Sequence, residues 1–118
     1  MSDAPAGDAS AGGGPAVAFL YATAPDAETA AALARTLVEE RLVACGNVLP
    51  GVRSVYRWEG TVTEDAEAAL LCKTTAAKAD AATARLAALH PYDVPAVTRF
   101  DAAGGWPAFL AWVAGEVA

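Results

Sequence analysis

Residues 44–60 read ACGNVLPGVRSVYRWEG, and this stretch decides the fold. It has the character of a long extended strand that is interrupted at Pro50-Gly51, a pair that cannot sit inside a regular central ladder and therefore predicts a bend or bulge. Residues 58–60 form the predicted hairpin tip, and residues 61–75 return as the partner strand. We expect this hairpin to protrude as a ribbon.

The chain before the hairpin predicts one strand and one helix. Residues 17–23 are a short run with β-branched and aromatic side chains, ended by Ala24-Pro25-Asp26, and they are typical of a buried strand followed by a turn. The residues that follow have helical spacing, with acidic Asp26 and Glu28 near the positive N-terminal end. The predicted apolar stripe consists of Ala30, Leu33, Ala34, Leu37, Val38 and Leu42.

The chain after the hairpin predicts a helix, a strand and a final helix. Residues 78–89 form an alanine-rich helix that ends before Pro91, residues 96–100 form a strand, and Phe109 to Val113 belong to a short closing helix with Pro107 in its first turn. The resulting order β-α-β-β-α-β is the ferredoxin-like arrangement of the α+β class, here with a long central hairpin and a C-terminal helix.

Composition limits the classes of partner. The chain has 118 residues and a net charge of -6, which argues against nucleic acid because phosphate binding needs clustered lysine and arginine. Its apolar stretches are far shorter than the ~20 residues of a membrane span, so we expect no membrane partner. A core built largely from alanine buries little area per residue, which favours oligomerisation.

The N-terminal residues and the two cysteines indicate domain bounds and location. Residues 1–15 are small and rich in proline and glycine, which predicts a disordered tail, with one domain over residues 16–118. The tail lacks the basic start and apolar centre of a signal peptide. Cys45 and Cys72 are therefore expected to be free thiols in a reducing, cytoplasmic environment.

Four motifs together resemble the CutA family of divalent-cation-tolerance proteins, over roughly residues 17–117. They are the stretch 44–60 with its Trp-Glu-Gly end, Lys73-Thr74, HPYDVP at residues 90–95, and FLAWV at residues 109–113, in the family's own order. The resemblance implies a homotrimer whose sheets face a common axis and whose long hairpins reach into a neighbouring subunit. It also implies a role in tolerance of divalent metal ions such as copper, with a metal ion or small ligand held in clefts between subunits.

Two residues are candidate metal ligands. Cys45 lies where the family signature carries its thiol, and a thiolate is a good soft ligand for copper; it could equally be a small buried hydrophobe. His90 is the only histidine, which excludes a site with several histidines in one subunit. It either makes local hydrogen bonds at the end of a helix or lines an inter-subunit cleft. Cys72 is expected in the core.

Six residues are candidates for binding a small ligand. They are Tyr56, Trp58, Glu67, Lys73, Tyr92 and Asp93. Glu67 and Lys73 are six positions apart and therefore share one strand face, where they could form a stabilising ion pair or, in an enzyme, an acid beside a lysine base. Trp58 and Trp112 are also candidates for packing anchors at subunit contacts.

The sequence departs from the metal-binding members of the family. Ala22 replaces a cysteine and Leu89 replaces a histidine that some members carry, and both changes remove candidate copper ligands. Asp93 replaces the glutamate that more usually follows His-Pro-Tyr in the family, and Ala96 replaces a glutamate that often follows the proline. These losses support an alternative function, a signalling or structural trimer similar to the PII regulators, without a direct metal site.

Enzyme motifs are largely missing, and we expect no enzymatic activity. The sequence has no glycine-rich phosphate loop, no Gly-x-Ser-x-Gly and no Cys-x-x-Cys. Acylphosphatase shares the ferredoxin-like arrangement, but no glycine-rich segment with an arginine follows the first strand here.

Overall fold

The computed structural model describes residues 14–118 of the chain, which form four strands and three helices. In chain order they are β1 (Val17–Ala24), α1 (Ala27–Glu39), β2 (Cys45–Trp58), β3 (Thr61–Thr75), α2 (Ala79–Leu89), β4 (Thr98–Asp101) and α3 (Pro107–Glu116). This order confirms the predicted α+β, ferredoxin-like arrangement with its long hairpin and C-terminal helix. The predicted tail lies outside the described residues except for Gly14 and Pro15. No helix in the described range combines the length and the apolar character needed to cross a membrane.

The strands form one antiparallel sheet in the order β2-β3-β1-β4. Strand β3 lies in the middle and pairs with β1 along Val17 to Ala24 and with β2 along nearly its whole length. The outer half of the β2-β3 hairpin extends beyond β1 and β4, and gives the molecule its elongated shape of 50 × 30 × 22 Å. The predicted protruding ribbon is therefore present.

Helices α1 and α2 cover one side of the sheet, and the main core lies between them. The alternation of strand residues sends every second side chain to this side. The core residues are Leu20, Ala22, Ala24, Ala30, Leu33, Ala34, Leu37, Val43, Ala68, Leu70, Cys72, Ala82 and Leu86. Six of the thirteen are alanines, so the sheet and helices approach closely. Gly46 marks the tightest point, because a Cβ there would lie 3.0 Å from that of Ala34.

Helix α1 begins and ends as its sequence requires. The Asp26 carboxylate accepts a 2.7 Å hydrogen bond from the Thr29 amide, and this bond lowers the pKa of Asp26. After the helix, Arg41 adopts a left-handed φ of 60° and turns the chain back, and its carbonyl accepts from the Ala118 amide. The first four residues of the predicted stripe, Ala30 to Leu37, are buried, whereas Val38 is exposed and Leu42 lies beyond the end of the helix and is half-buried.

A bulge in β2 controls which side chains of the hairpin share a face. Leu49 pairs with Ala69 but Val52 pairs with Glu67, so one extra residue of β2 is accommodated between them. Gly51 supplies the positive φ of 78° at this point. Because of the extra residue, even-numbered side chains beyond the bulge lie on the face that odd-numbered side chains occupy before it. The predicted irregularity at Pro50-Gly51 is confirmed.

We call the side of the sheet opposite α1 and α2 the open face. At one end it is covered by α3, whose Leu110 and Val113 pack on Val17 and Ala44. The remainder carries exposed apolar side chains. Those with large exposed area are Tyr21, Leu49, Tyr56, Trp58 and Phe100.

Candidate functional site

A cavity of about 560 Å3 lies on the open face and extends from the end of β1 along the outer half of the hairpin. Its volume falls in the ~300–1,000 Å3 range typical of small-molecule sites. Residues from the hairpin, the end of β1 and the loop after α2 line it together. They are Thr23, Ser54, Tyr56, Trp58, Glu67, Tyr92, Asp93, Val94 and Ala96.

The loop after α2 is held in place by His90, which is buried. The Nδ1 atom of His90 accepts a 3.1 Å hydrogen bond from the Tyr92 amide, so its Nε2 carries the proton and donates to the Thr23 carbonyl at 2.8 Å. The His90 and Tyr92 rings also pack against each other with centroids 4.7 Å apart. Both nitrogens of the imidazole are therefore occupied by the protein itself.

Tyr92 spans from this loop to the hairpin. Its hydroxyl donates a 2.7 Å hydrogen bond to Glu67 Oε2, so the ring is fixed by His90 at its base and by Glu67 at its tip. Partial burial, followed by the bond to Glu67, raises the pKa of Tyr92. The phenol therefore keeps its proton and serves as a donor at neutral pH.

Tyr56 is oriented in the same way by a second carboxylate. Its hydroxyl donates to Asp65 Oδ2, and this hydrogen bond raises the pKa of Tyr56. Asp65 lies two residues before Glu67 on β3, hence on the same face. The two tyrosines are thus held by two neighbouring carboxylates of one strand.

The charge around the cavity is negative. Glu67 and Asp93 line it and Asp65 stands behind Tyr56, whereas no lysine, arginine or histidine is among the lining residues. The arginines of the hairpin are directed elsewhere: Arg53 forms a 2.7 Å ion pair with Glu64, and Arg57 donates to the Gly60 carbonyl. Odd-numbered β2 residues in this segment lie on the opposite face from Tyr56 and Trp58.

The structure brings five of the six candidate ligand-binding residues together. Tyr56, Trp58, Glu67, Tyr92 and Asp93 all line the cavity. Lys73 does not, since it lies ~20 Å from Glu67 along β3 in the direction away from the hairpin tip and the loop after α2. Its ammonium instead donates to Asn47 and lies 5.9 Å from the centre of the Phe19 ring.

The two candidate metal ligands are far apart within one chain. Cys45 pairs with Lys73 on β3, whereas His90 is bonded to Thr23, which pairs with Ala69, ~13 Å further along the strand. Cys72 lies in the core, where burial and the nearby Cys45 raise the pKa of its thiol to about 12. Across residues 14–118, no group of three or more His, Cys, Asp or Glu side chains is placed to hold a metal ion.

Sequence reasoning did not identify three lining residues, Thr23, Ser54 and Val94, as part of a site, and it considered Ala96 only as the position of a missing carboxylate. Ser54 could have been found from its spacing, because it is two residues before Tyr56 and therefore shares its face. Thr23 could not, since its proximity depends on the His90 hydrogen bond that links β1 to the loop after α2.

Comparisons with known proteins agree with this architecture. Residues 18–116 match the family model described as CutA1 divalent ion tolerance protein. The chain is 46% identical over 91 residues to the divalent-cation tolerance protein CutA of Thermus thermophilus, covering 77% of this chain and 88% of that protein. It is 43% identical to the chloroplastic protein CutA 1 of Oryza sativa, covering 80% of this chain and 53% of that protein. The crystal structure of CutA from Xylella fastidiosa superposes with a TM-score of 0.84 at 41% identity, covering 86% of this chain and 98% of that one.

Proposed function

This chain belongs to the CutA1 divalent ion tolerance family, and we propose that it acts in divalent-cation tolerance as a homotrimer that binds a small ligand or metal ion in its inter-subunit clefts. The observation that carries the proposal is the cavity along the outer half of the hairpin. It opens on the open face, so subunits that meet through this face would enclose it. We propose a binding role and no catalysis.

The open face supports assembly. Its exposed side chains include Tyr21, Leu49 and Phe100, and the hairpin adds Trp58, so the apolar residues extend along much of the sheet. Monomeric soluble proteins rarely leave so continuous an apolar surface in water. Three copies with their sheets around one axis would cover it, and would also cover the unpaired edge of β2.

The residues of one chain fit a small organic ligand better than a metal ion. Both cavity phenols hold their protons and donate to carboxylates, and both His90 nitrogens are engaged. Among the lining residues, only the carboxylates of Glu67 and Asp93 remain as charged metal ligands. Two carboxylates are too few to replace the hydration shell of a divalent ion. Direct metal binding through Cys45 or His90 would therefore need further donors from a neighbouring subunit.

Residues 14–118 of one chain lack a complete set of metal ligands, and this observation favours a second candidate function. In that alternative the protein is a PII-like signalling or structural trimer, and its effect on metal tolerance is indirect.

Under either function we propose a reducing, cytoplasmic location. Cys72 lies on the helix side of the sheet and Cys45 on the open face, where they stay unpaired thiols.

Two measurements test these proposals. Size-exclusion chromatography with light scattering should give three times the chain mass at micromolar concentration, and a stable monomer would contradict the assembly. Titration calorimetry with Cu(I), Cu(II) and Zn(II) then separates the functions. Submicromolar affinity that Cys45→Ala abolishes would support direct metal binding, whereas no metal affinity would leave the indirect function. A Cys72→Ala variant serves as the matched thiol control.

A further inference from the structure

We propose that the cavity binds an organic ammonium ion rather than a bare divalent metal ion or an anion. This inference rests on the proposed function, in which the same cavity is the ligand site. It combines three features of the described residues: aromatic rings held in position, a negative charge with no cation among the lining residues, and a lack of free metal donors.

Three aromatic side chains line the cavity, and two of them are fixed by hydrogen bonds before any ligand arrives. Tyr92 is held by His90 and Glu67, and Tyr56 by Asp65, while Trp58 completes the set from the hairpin. An alkylammonium ion is attracted to the face of an aromatic ring, most strongly to tryptophan, and its carbon groups also gain from leaving water. Fixed rings lose little conformational freedom on binding.

The charges select a cation over an anion. Glu67 and Asp93 line the cavity without a basic neighbour, and Asp65 adds a third negative charge behind Tyr56. A phosphate or carboxylate group would meet these carboxylates without a lysine or arginine to bind it. An ammonium group would meet Glu67, whose Oε2 already accepts from Tyr92 and whose Oε1 accepts no hydrogen bond from residues 14–118.

The cavity residues of one chain fit a bare metal ion poorly, for a different reason. A divalent ion such as zinc or copper requires several close, deprotonated ligands. The two phenols are protonated donors, and His90 has no free nitrogen. An ammonium ion needs no such shell, because its charge is spread over a larger volume and is satisfied by ring faces and one or two carboxylates. The volume of about 560 Å3 also suits an organic ion.

The test compares choline with its neutral carbon isostere, in which carbon replaces nitrogen, on the full-length protein. Amide and indole NMR locates binding through the Trp58 indole signal, and calorimetry gives the affinity. We expect choline to shift the Trp58 signal and to bind roughly tenfold or more tightly than the isostere, a ratio that corresponds to about 1.4 kcal/mol. Equal affinity of the two compounds would overturn the inference.

Two variants with the same change of charge provide the control. Glu67→Gln keeps an oxygen that can accept from the Tyr92 hydroxyl but removes one of the two negative charges that line the cavity. Glu64→Gln removes a charge three residues away on the opposite face, where Glu64 pairs with Arg53. We expect choline affinity to fall by roughly fivefold to tenfold in the first and to stay unchanged in the second, because a trimethylammonium group makes no hydrogen bond and is attracted to the nearby carboxylate by its charge alone. Equal losses would show a general charge effect and would contradict the site.

Further outcomes separate this inference from the proposed function. If acetate, inorganic phosphate or Zn(II) shifts the Trp58 signal and choline does not, the cavity is a ligand site but the ammonium class is wrong. If none of these probes shifts it in a sample that light scattering shows to be trimeric, the inference fails while the proposed assembly stands. A Tyr56→Leu variant that retains full choline affinity would also overturn the role of the rings.

Discussion

The hairpin tip offers the sharpest test of the proposed assembly, through the substitution Trp58→Ala. In one subunit Trp58 is 59% exposed, at the end of a ribbon that extends away from its own core. An indole can bury ~150–250 Å2, so about 90–150 Å2 remains to be covered by a neighbouring subunit. At ~25 cal/mol per Å2 this area contributes ~2–4 kcal/mol for each tip, or a factor of ~30–700 in the dissociation constant of each contact.

We therefore expect Trp58→Ala to dissociate the trimer at concentrations where the parent protein remains assembled. Analytical ultracentrifugation over a dilution series measures this shift, and far-ultraviolet circular dichroism should show unchanged helix content because α1, α2 and α3 pack through two core clusters that do not include Trp58. Val38→Ala is the matched control, since Val38 is an exposed apolar residue on the helix side of the molecule. A Trp58→Ala protein that stays trimeric with the parent's thermal stability would refute the reasoning.

Three smaller predictions concern folding. Gly46→Ala should destabilise the protein by ~1–3 kcal/mol in urea unfolding, because its Cβ would lie 3.0 Å from Ala34, whereas Gly104→Ala, with nothing within 4 Å, should not. Glu59→Asn should stabilise the hairpin by ~0.5–1 kcal/mol, since residue 59 has a left-handed φ of 49° in a two-residue turn; an unchanged urea midpoint would contradict this. Asp26 has a lowered pKa in the folded state, so its contribution is present above its unfolded pKa and is lost as pH falls through the folded value. Unfolding curves of Asp26→Ala should lack that acid-dependent loss, and a parallel pH profile would contradict the cap.

Much of the fold could be predicted because its determinants are local. The helix stripe and the Pro50-Gly51 interruption each depend on residues close in sequence. The error at Val38 has a geometric origin: at 100° per residue it lies ~80° around the helix from Ala30, at the edge of the buried stripe. Where the helix has only one neighbouring layer, such an edge position is left in water.

The site was harder to predict because its members meet through pairing register. A period of two correctly placed Glu67 and Lys73 on one face, but their six positions at ~3.3 Å per residue also place them ~20 Å apart, too far to share one small site. The bulge adds a second difficulty. Without its extra residue, Tyr56 and Trp58 would face the helix side and could not line a cavity with Glu67.

The role of His90 decides how mutations of this loop should be interpreted. Because its nitrogens bind the Tyr92 amide and the Thr23 carbonyl, His90→Ala would release Tyr92 and leave a half-buried carbonyl without this donor. Loss of ligand binding in that variant would follow from displacement of the ring even if His90 never contacts the ligand. Tyr92→Phe separates the possibilities, since it removes the hydroxyl bond to Glu67 while it keeps the ring and the His90 contacts. Binding that is retained in Tyr92→Phe but lost in both His90→Ala and Tyr92→Ala would identify His90 as a residue that positions the Tyr92 ring, whereas metal affinity that is lost in His90→Ala and retained in both Tyr92 variants would identify it as a ligand.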